Sequence, residues 1–237
     1  MVAPNLHTIA KELNQRAREH SIGELQKLRS GLNHRQQTGQ DIFRLGSKTV
    51  RDDWACHYGG RRELQFNIGL EESGQELRHG VAFSFEPSRE LPNITEILAS
   101  KVQLFNDFIL LCPKLFGDMG MWHYDAGNRS PNYMPGPIPS ELVREHVFIF
   151  LGKRQHIDRI DYEAVLDDFD LLLPLYEYVE SNGAVQPTLL SPNNDFAFRS
   201  GCSVKASSAT ATQVEKQLNV RLRHNDLQAA FHRQVGI

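Results

Sequence analysis

Two short runs of alternating residues, separated by a polar segment, constrain this chain more than anything else in it. In residues 63–70, Leu64, Phe66, Ile68 and Leu70 alternate with Glu63, Gln65, Asn67 and Gly69. A strand turns successive side chains to opposite faces, so this spacing predicts a strand with one buried apolar face and one polar face. Residues 77–85 repeat the pattern, with Leu77, Val81, Phe83 and Phe85 on one face together with His79. The segment 71–75, Glu-Glu-Ser-Gly-Gln, reads as a hairpin loop, and the two strands are expected to pair antiparallel. Their outward-facing Gln65, Asn67, Arg78 and Ser84 would then decorate a surface bordered by Trp54 and Tyr58.

Around the hairpin the periodicity changes to that of helices. Residues 7–20 carry Ile9, Ala10, Leu13 and Ala17 at helical spacing, and Ser21-Ile22-Gly23-Glu24 has the form of a capping box opening a second helix through Leu25 and Leu28. Residues 31–40 read as loop, and 49–58 as a strand leading into the hairpin. A helix is expected over 94–111, where Ile97, Leu98, Val102, Leu104, Phe105, Phe108 and Ile109 give a broad apolar face and Pro113 stops it. The Gly-, Pro- and aromatic-rich stretch 117–139 reads as a long ordered loop. Residues 146–151 form an apolar run suited to a central strand, and 161–181 a helix with an acidic outer face, bent or restarted near Pro174. Beyond Gly183 the sequence suggests a short strand at 196–198, a small-residue stretch at 203–212 and an amphipathic helix over 220–235. The expected fold is α+β: a mainly antiparallel sheet flanked by helices, with a curved, barrel-like sheet left open as a variant.

Composition narrows the chemistry. The formal charge of −3 argues against an indiscriminate polyanion binder, yet the charges are unevenly placed. Residues 161–181 hold seven acidic residues and no Lys or Arg, whereas basic residues gather around Lys48, Arg51, Arg61 and Arg62 and again at Arg221, Arg223 and Arg233. Such a division is compatible with a nucleic-acid face, although any one cluster taken alone is better read as an ordinary solvated surface. Cys56, Cys112 and Cys202 lie far apart and lack metal-finger spacing, so reduced thiols are expected. No apolar run is long enough to span a membrane, and the amino terminus lacks the features of a signal peptide, which leads to the expectation of a cytoplasmic protein.

The run 219–231, Asn-Val-Arg-Leu-Arg-His-Asn-Asp-Leu-Gln-Ala-Ala-Phe, resembles the opening helix of a PD-(D/E)XK nuclease-like domain found in multidomain prokaryotic proteins. The stretches 54–69 and 78–84 are similar to the amino-terminal part of the same proteins. What the resemblance implies is a recognition domain over residues 1–200, with 201–237 as a linker and the first helix of the nuclease-like domain. The nuclease strands and their acidic-acidic-lysine triad would follow in the same protein, beyond the last residue of this sequence. The resemblance further implies a restriction or defence role, in which this part selects DNA and the nuclease cuts it.

The stretch 54–69 sets aromatics, a histidine, two arginines and amides around a glycine turn, which is the chemistry of a recognition pocket. Trp54, Tyr58, Trp122 and Tyr124 are candidates for a cage, because a base taken out of the stack needs π-faces on both sides. Gln65, Asn67 and His57 could read its edge. The alternative is that both tryptophans are core anchors. Lys48, Arg51, Arg61, Arg62 and Arg78 are candidate phosphate contacts, with Gly59 and Gly60 allowing close backbone approach. Cys56 and His57 are adjacent on a strand and face opposite ways, and no nucleophile elbow, P-loop or dinucleotide fingerprint occurs, so this chain alone is not expected to catalyse a reaction. No metal and no cofactor is expected. The reading at this point is recognition of DNA, modified or with a flipped base, on behalf of a nuclease. A protein- or nucleotide-binding sensor or scaffold, and an enzyme with an unfamiliar pocket, stay open.

Overall fold

A computed structural model of the chain describes residues 5–29, 41–45, 53–58 and 60–184, all within one compact unit, Met1–Pro187. Lys48, Arg51, Gly59, Cys202 and the elements expected at 31–40, 196–198, 203–212 and 220–235 lie outside the described residues, as does the boundary expected at 200.

The hairpin keeps its alternation from Gln65 onward, whereas Glu63, expected on the polar face, precedes the strand and turns to the helical side, where it meets His57 and Tyr176. Strand β2 (Gln65–Glu71) pairs antiparallel with β3 (Glu76–Ser84), in a register that sets Gln65 opposite Ala82 and Glu71 opposite Glu76. Its loop needs left-handed backbone at Glu72, Ser73 and Gly74. The edge strand β1 (Trp54–Cys56) joins β2 on one side, and β6 (Val147–His156) joins β3 on the other. Beyond β6 come β4 (Gly120–Asp125) and the short β5 (Asn128–Arg129), giving the order β1-β2-β3-β6-β4-β5 with all pairs antiparallel. The fold is α+β and the sheet is open: β1 and β5 are its edges, so the barrel-like variant is not realised.

Strand β4 falls inside the stretch read from sequence as loop. Its alternation is real, with Met121 on one face and Trp122 on the other. Both faces of the strand carry large apolar groups, which removes the apolar/polar contrast that marks a half-buried strand.

Among the described residues, four helices accompany the sheet. Helix α1 (Leu6–Arg16) is capped by the Asn5 side chain, which accepts from the Thr8 N–H at 2.9 Å, and buries Leu6, Ile9, Ala10 and Leu13. Residues Ser21–Glu24 form a 3-10 turn leading into α2, only Leu25–Leu28. The expected capping box is not used, because the Asp170 carboxylate accepts from the backbone N–H groups of Ser21 and Ile22 at 3.2 and 2.6 Å. Helix α3 (Ile94–Leu111) matches its apolar spacing, and α4 (Tyr162–Glu180) runs continuously through Pro174.

One face of the sheet supplies Phe66, Ile68, Leu77, Val81, Phe83 and Leu151 to a core completed by α1, α3 and α4, with Phe66 against Phe169 at 5.4 Å and Phe83 against Phe105 at 5.7 Å between ring centroids. The acidic side of α4 is not simply solvated, as the sequence suggested. Asp168 is buried and holds His79 at 2.9 Å and Lys153 at 2.7 Å. Glu163 and Asp170 hold Arg16 and His20, while Glu180 takes Lys101 and the Leu64 N–H.

Candidate functional site

The opposite face of the sheet has no helix layer among the described residues, and an open cavity of about 460 Å³ lies on it. Its floor is the hairpin: Gln65 and Asn67 from β2, Arg78 and Ser84 from β3. Trp54 of the edge strand stands on one side, and Tyr124 of β4 and Phe148 of β6 on the other. Arg61, Glu86, Pro87 and Ser88 complete the lining. Strands β1 and β4 are four places apart in the sheet, so a cavity touching both requires a concave face.

An aromatic layer fixes the far wall. Trp122 and Phe150 are neighbours across β4 and β6 and stack at 4.7 Å, both fully buried, with Tyr124 and Phe148 packed on them. Arg129 and Arg154 lie over the Trp122 ring at 5.1 and 6.0 Å. The Trp122 indole donates to the Tyr124 hydroxyl at 3.3 Å, and that hydroxyl donates to Glu71. With its hydroxyl so engaged, Tyr124 offers the cavity its ring. Burial, reinforced by the hydrogen bond to Glu71, pushes the Tyr124 hydroxyl above its usual range, so it stays protonated.

Arg78 organises the floor. It pairs across the strands with Gly69 and lies flat because that residue has no side chain: a Cβ on Gly69 would come within 2.4 Å of the guanidinium carbon. The guanidinium sits 5.3–5.8 Å from the centroids of Phe148, Phe150 and Tyr124. It donates to the Asn67 side-chain oxygen at 3.2 Å and faces Glu71 at 3.6 Å, while its Nε is buried without a hydrogen-bond partner. Asn67 in turn donates to the Gln65 side-chain oxygen at 3.1 Å. Both amide residues are almost wholly buried, at 1% and 2% exposure, with their polar ends held by one another and by Arg78. Arg78 and Arg154 are like charges opposite one another, which the Glu71 carboxylate between them and the Glu76–Arg154 pair at 2.7 Å offset. At the mouth, Arg61 donates to the Glu86 carbonyl at 3.1 Å, and His146 meets the Glu86 carboxylate at 3.1 Å.

Of the residues singled out from sequence, Trp54, Gln65, Asn67, Tyr124, Arg61 and Arg78 therefore line one cavity. Trp122 lies in the layer behind it. His57 and Tyr58 do not line it. Residues 54–57 alternate across the sheet, which sends His57 to the helical side, where it is fully buried. There its Nδ1 accepts from the Phe66 N–H at 3.0 Å, so the proton sits on Nε2 and donates to Glu63 at 3.1 Å. Burial lowers its pKa and Glu63 only partly compensates, which keeps the ring neutral. Glu63 also takes Tyr176 at 2.6 Å and Arg29 at 2.8 Å; burial would raise this carboxyl, but His57 and Arg29 outweigh it and hold it well below the usual range. Tyr58 carries Arg44 over its ring at 4.8 Å. Arg62 is exposed, and its carbonyl accepts from Lys101.

Sequence reasoning missed Phe148, Glu86, Pro87 and Ser88 as lining, and Glu71, Arg129 and Arg154 as the ring behind it. The alternation of Phe148 and Phe150 against Ile149 and Leu151 was the available signal, since a strand apolar on both faces must cover something on each. Among the described residues no three His, Cys, Asp or Glu are grouped to hold a metal, and no helix is long and apolar enough to cross a membrane. Cys56 and Cys112 are buried free thiols, and burial pushes the Cys56 thiol up to about 12, away from nucleophilic use. The donors among the lining side chains are complementary to hydrogen-bond acceptors. No known protein family, no curated protein and no solved structure matches this chain.

Proposed function

We propose that this chain is a DNA-recognition domain that accepts an unstacked base in the cavity on the face of its sheet opposite the helices. The observation that carries the reading is the convergence on one cavity of facing aromatic walls, two buried amides and two arginines. Aromatic faces on both sides suit a flat heterocycle, buried amides suit its hydrogen-bonding edge, and an arginine at the mouth suits the phosphate that comes with it. The volume falls in the range of about 300–1,000 Å³ usual for small-ligand sites, enough for a base or a modified base.

On this reading Arg61 positions the backbone and Trp54, Tyr124 and Phe148 hold the base. The resemblance of residues 219–231 to the opening of a nuclease-like domain supports the wider proposal that recognition here targets cleavage by such a domain in a restriction system. A free nucleotide would find the same walls, so the deciding comparison is between ligands. Fluorescence anisotropy should show tighter binding to a duplex with one unpaired base than to the fully paired duplex. Arg61→Ala should weaken both duplexes alike and reduce the salt slope by about 1. Equal affinity for the two duplexes, together with tight binding of free mononucleotides, would replace the DNA reading with that of a nucleotide sensor.

A further inference from the structure

We propose that the cavity selects a base edge made of adjacent acceptors, the O6 and N7 of guanine, and turns away adenine; this rests on the reading of the cavity as a base pocket. The argument is one of hydrogen-bond polarity. A guanidinium can only donate, so the Arg78 contact fixes which end of the Asn67 amide faces it: the oxygen. The Asn67 nitrogen must then face Gln65, and at 3.1 Å it meets the Gln65 oxygen. Each amide in the relay is thereby oriented, and the Gln65 NH2 is left as the end that can address a ligand. The relay begins at a donor and ends at a donor.

Among the other described lining side chains, only the Glu86 carboxylate accepts without donating. Arg78 itself is donor-only, and the Trp54 indole N–H is a donor. The Tyr124 hydroxyl is committed to Glu71 and Trp122. Ser84 and Ser88 can serve in either sense, the Ser88 hydroxyl being buried without a hydrogen-bond partner. Glu86 is the lining carboxylate, and it belongs to the mouth, more than half exposed and paired with His146. Adenine and guanine have the same purine frame, but adenine replaces the O6 acceptor by an N6 donor. Set against a fixed NH2, that donor would leave two buried donors facing one another, whereas guanine would satisfy them.

Two variants convert the cavity end of the relay from donor to acceptor without changing its shape. In Asn67→Asp both side-chain oxygens accept, so Arg78 stays satisfied while Gln65 must donate to residue 67 and present its oxygen to the ligand. In Gln65→Glu, Asn67 still donates to residue 65, and the second carboxylate oxygen faces the cavity. The probes are dGMP, dAMP and 7-deaza-dGMP, and one duplex with an unpaired guanine or adenine beside its fully paired counterpart, all titrated calorimetrically. The wild-type chain should bind guanine at least about tenfold tighter than adenine, with 7-deaza-dGMP weakened. In Asn67→Asp, or in Gln65→Glu should the former fail to fold, the preference should fall away or reverse toward adenine.

Equal affinity for the two purines, or a preference for guanine that survives both folded variants, would overturn the selectivity. If guanine were preferred among the mononucleotides while unpaired-base duplexes bound no better than the paired one, the DNA reading would fail and the selectivity would stand. If unpaired-base duplexes were favoured over the paired one without regard to the base, the selectivity would fail and the DNA reading would stand. Binding of none of these probes would sink both.

Discussion

The two faces of the sheet handle buried polar groups in opposite ways. On the helical face, Glu63 and Asp168 meet their complements within the core: Glu63 holds Arg29, His57 and Tyr176, and Asp168 holds His79 and Lys153. On the cavity face, polar groups are just as deep but converge on the cavity. Gln65, Asn67 and Arg78 satisfy one another along a line that stops at the cavity. On the proposed reading, burial alone therefore does not separate structural polar residues from those that would meet a ligand. What separates them is whether the hydrogen-bond chain closes within the protein or ends at a surface a ligand can reach.

The comparison breaks first if residues assigned to structure turn out to affect binding instead. Trp122 is fully enclosed by Phe150, Arg129 and Arg154, so Trp122→Ala should cost roughly 3–5 kcal/mol of stability in urea denaturation. A folded, equally stable Trp122→Ala variant that had lost DNA binding would move Trp122 from the supporting layer into the cavity.

Glu63→Gln probes the helical face in the same assay. It leaves Arg29, only 7% exposed, without the carboxylate that balances it, and should destabilise by about 3 kcal/mol. DNA affinity per folded molecule should stay unchanged, because Glu63 faces away from the cavity. The Glu63 carboxyl is held low in the folded state, so its contribution is present above the ordinary carboxylate range and lost as the pH falls through the folded value.

Trp54→Ala gives the reverse signature. The residue is half-buried on an edge strand, so its loss should leave stability nearly intact while removing roughly 1–3 kcal/mol of binding to an unpaired-base duplex. A stability loss as large as that of Trp122→Ala, with binding retained, would make Trp54 a structural anchor.

The smallest effect concerns how the amino-terminal segment is held on α4. His20 lies between Glu163 and Asp170 at 3.1 Å each, with Asp167 at 3.8 Å, and Arg16 shares Glu163. Burial alone would lower its pKa, but these carboxylates raise it above the ordinary 6.5. Its stabilisation is thus complete below pH 6.5 and lost as the pH rises through the raised value. His20→Gln should cost about 0.5 kcal/mol more at pH 5.5 than at pH 8.5, a modest difference because solvent screens the pair. A cost independent of pH would remove the charge from this contact.

Much of this arrangement was legible in the chain. The period-2 runs at 63–70 and 77–85 were enough to set Gln65, Asn67, Arg78 and Ser84 on one face, and the 3.6-residue spacing of 94–111 matched α3 at both ends. Strand β4 was hidden because its outer face is also apolar. The turn at Ser21–Glu24 was misread because its cap arrives from Asp170, about 150 residues away in sequence. The division of the histidines was concealed for a related reason. His57 lies beside the cavity residues in sequence, but strand alternation sends it through the sheet to a carboxylate that stacking and propensity do not announce.

The most direct test of the central claim follows intrinsic tryptophan emission while DNA is added. The chain has two tryptophans, Trp54 in the cavity wall and Trp122 sealed behind it. A duplex with one unpaired base should quench the emission at saturation, the fully paired duplex should quench it far less, and Trp54→Phe should abolish the difference. Identical quenching by both duplexes, or a difference that persists in Trp54→Phe, would mean that no base enters this cavity.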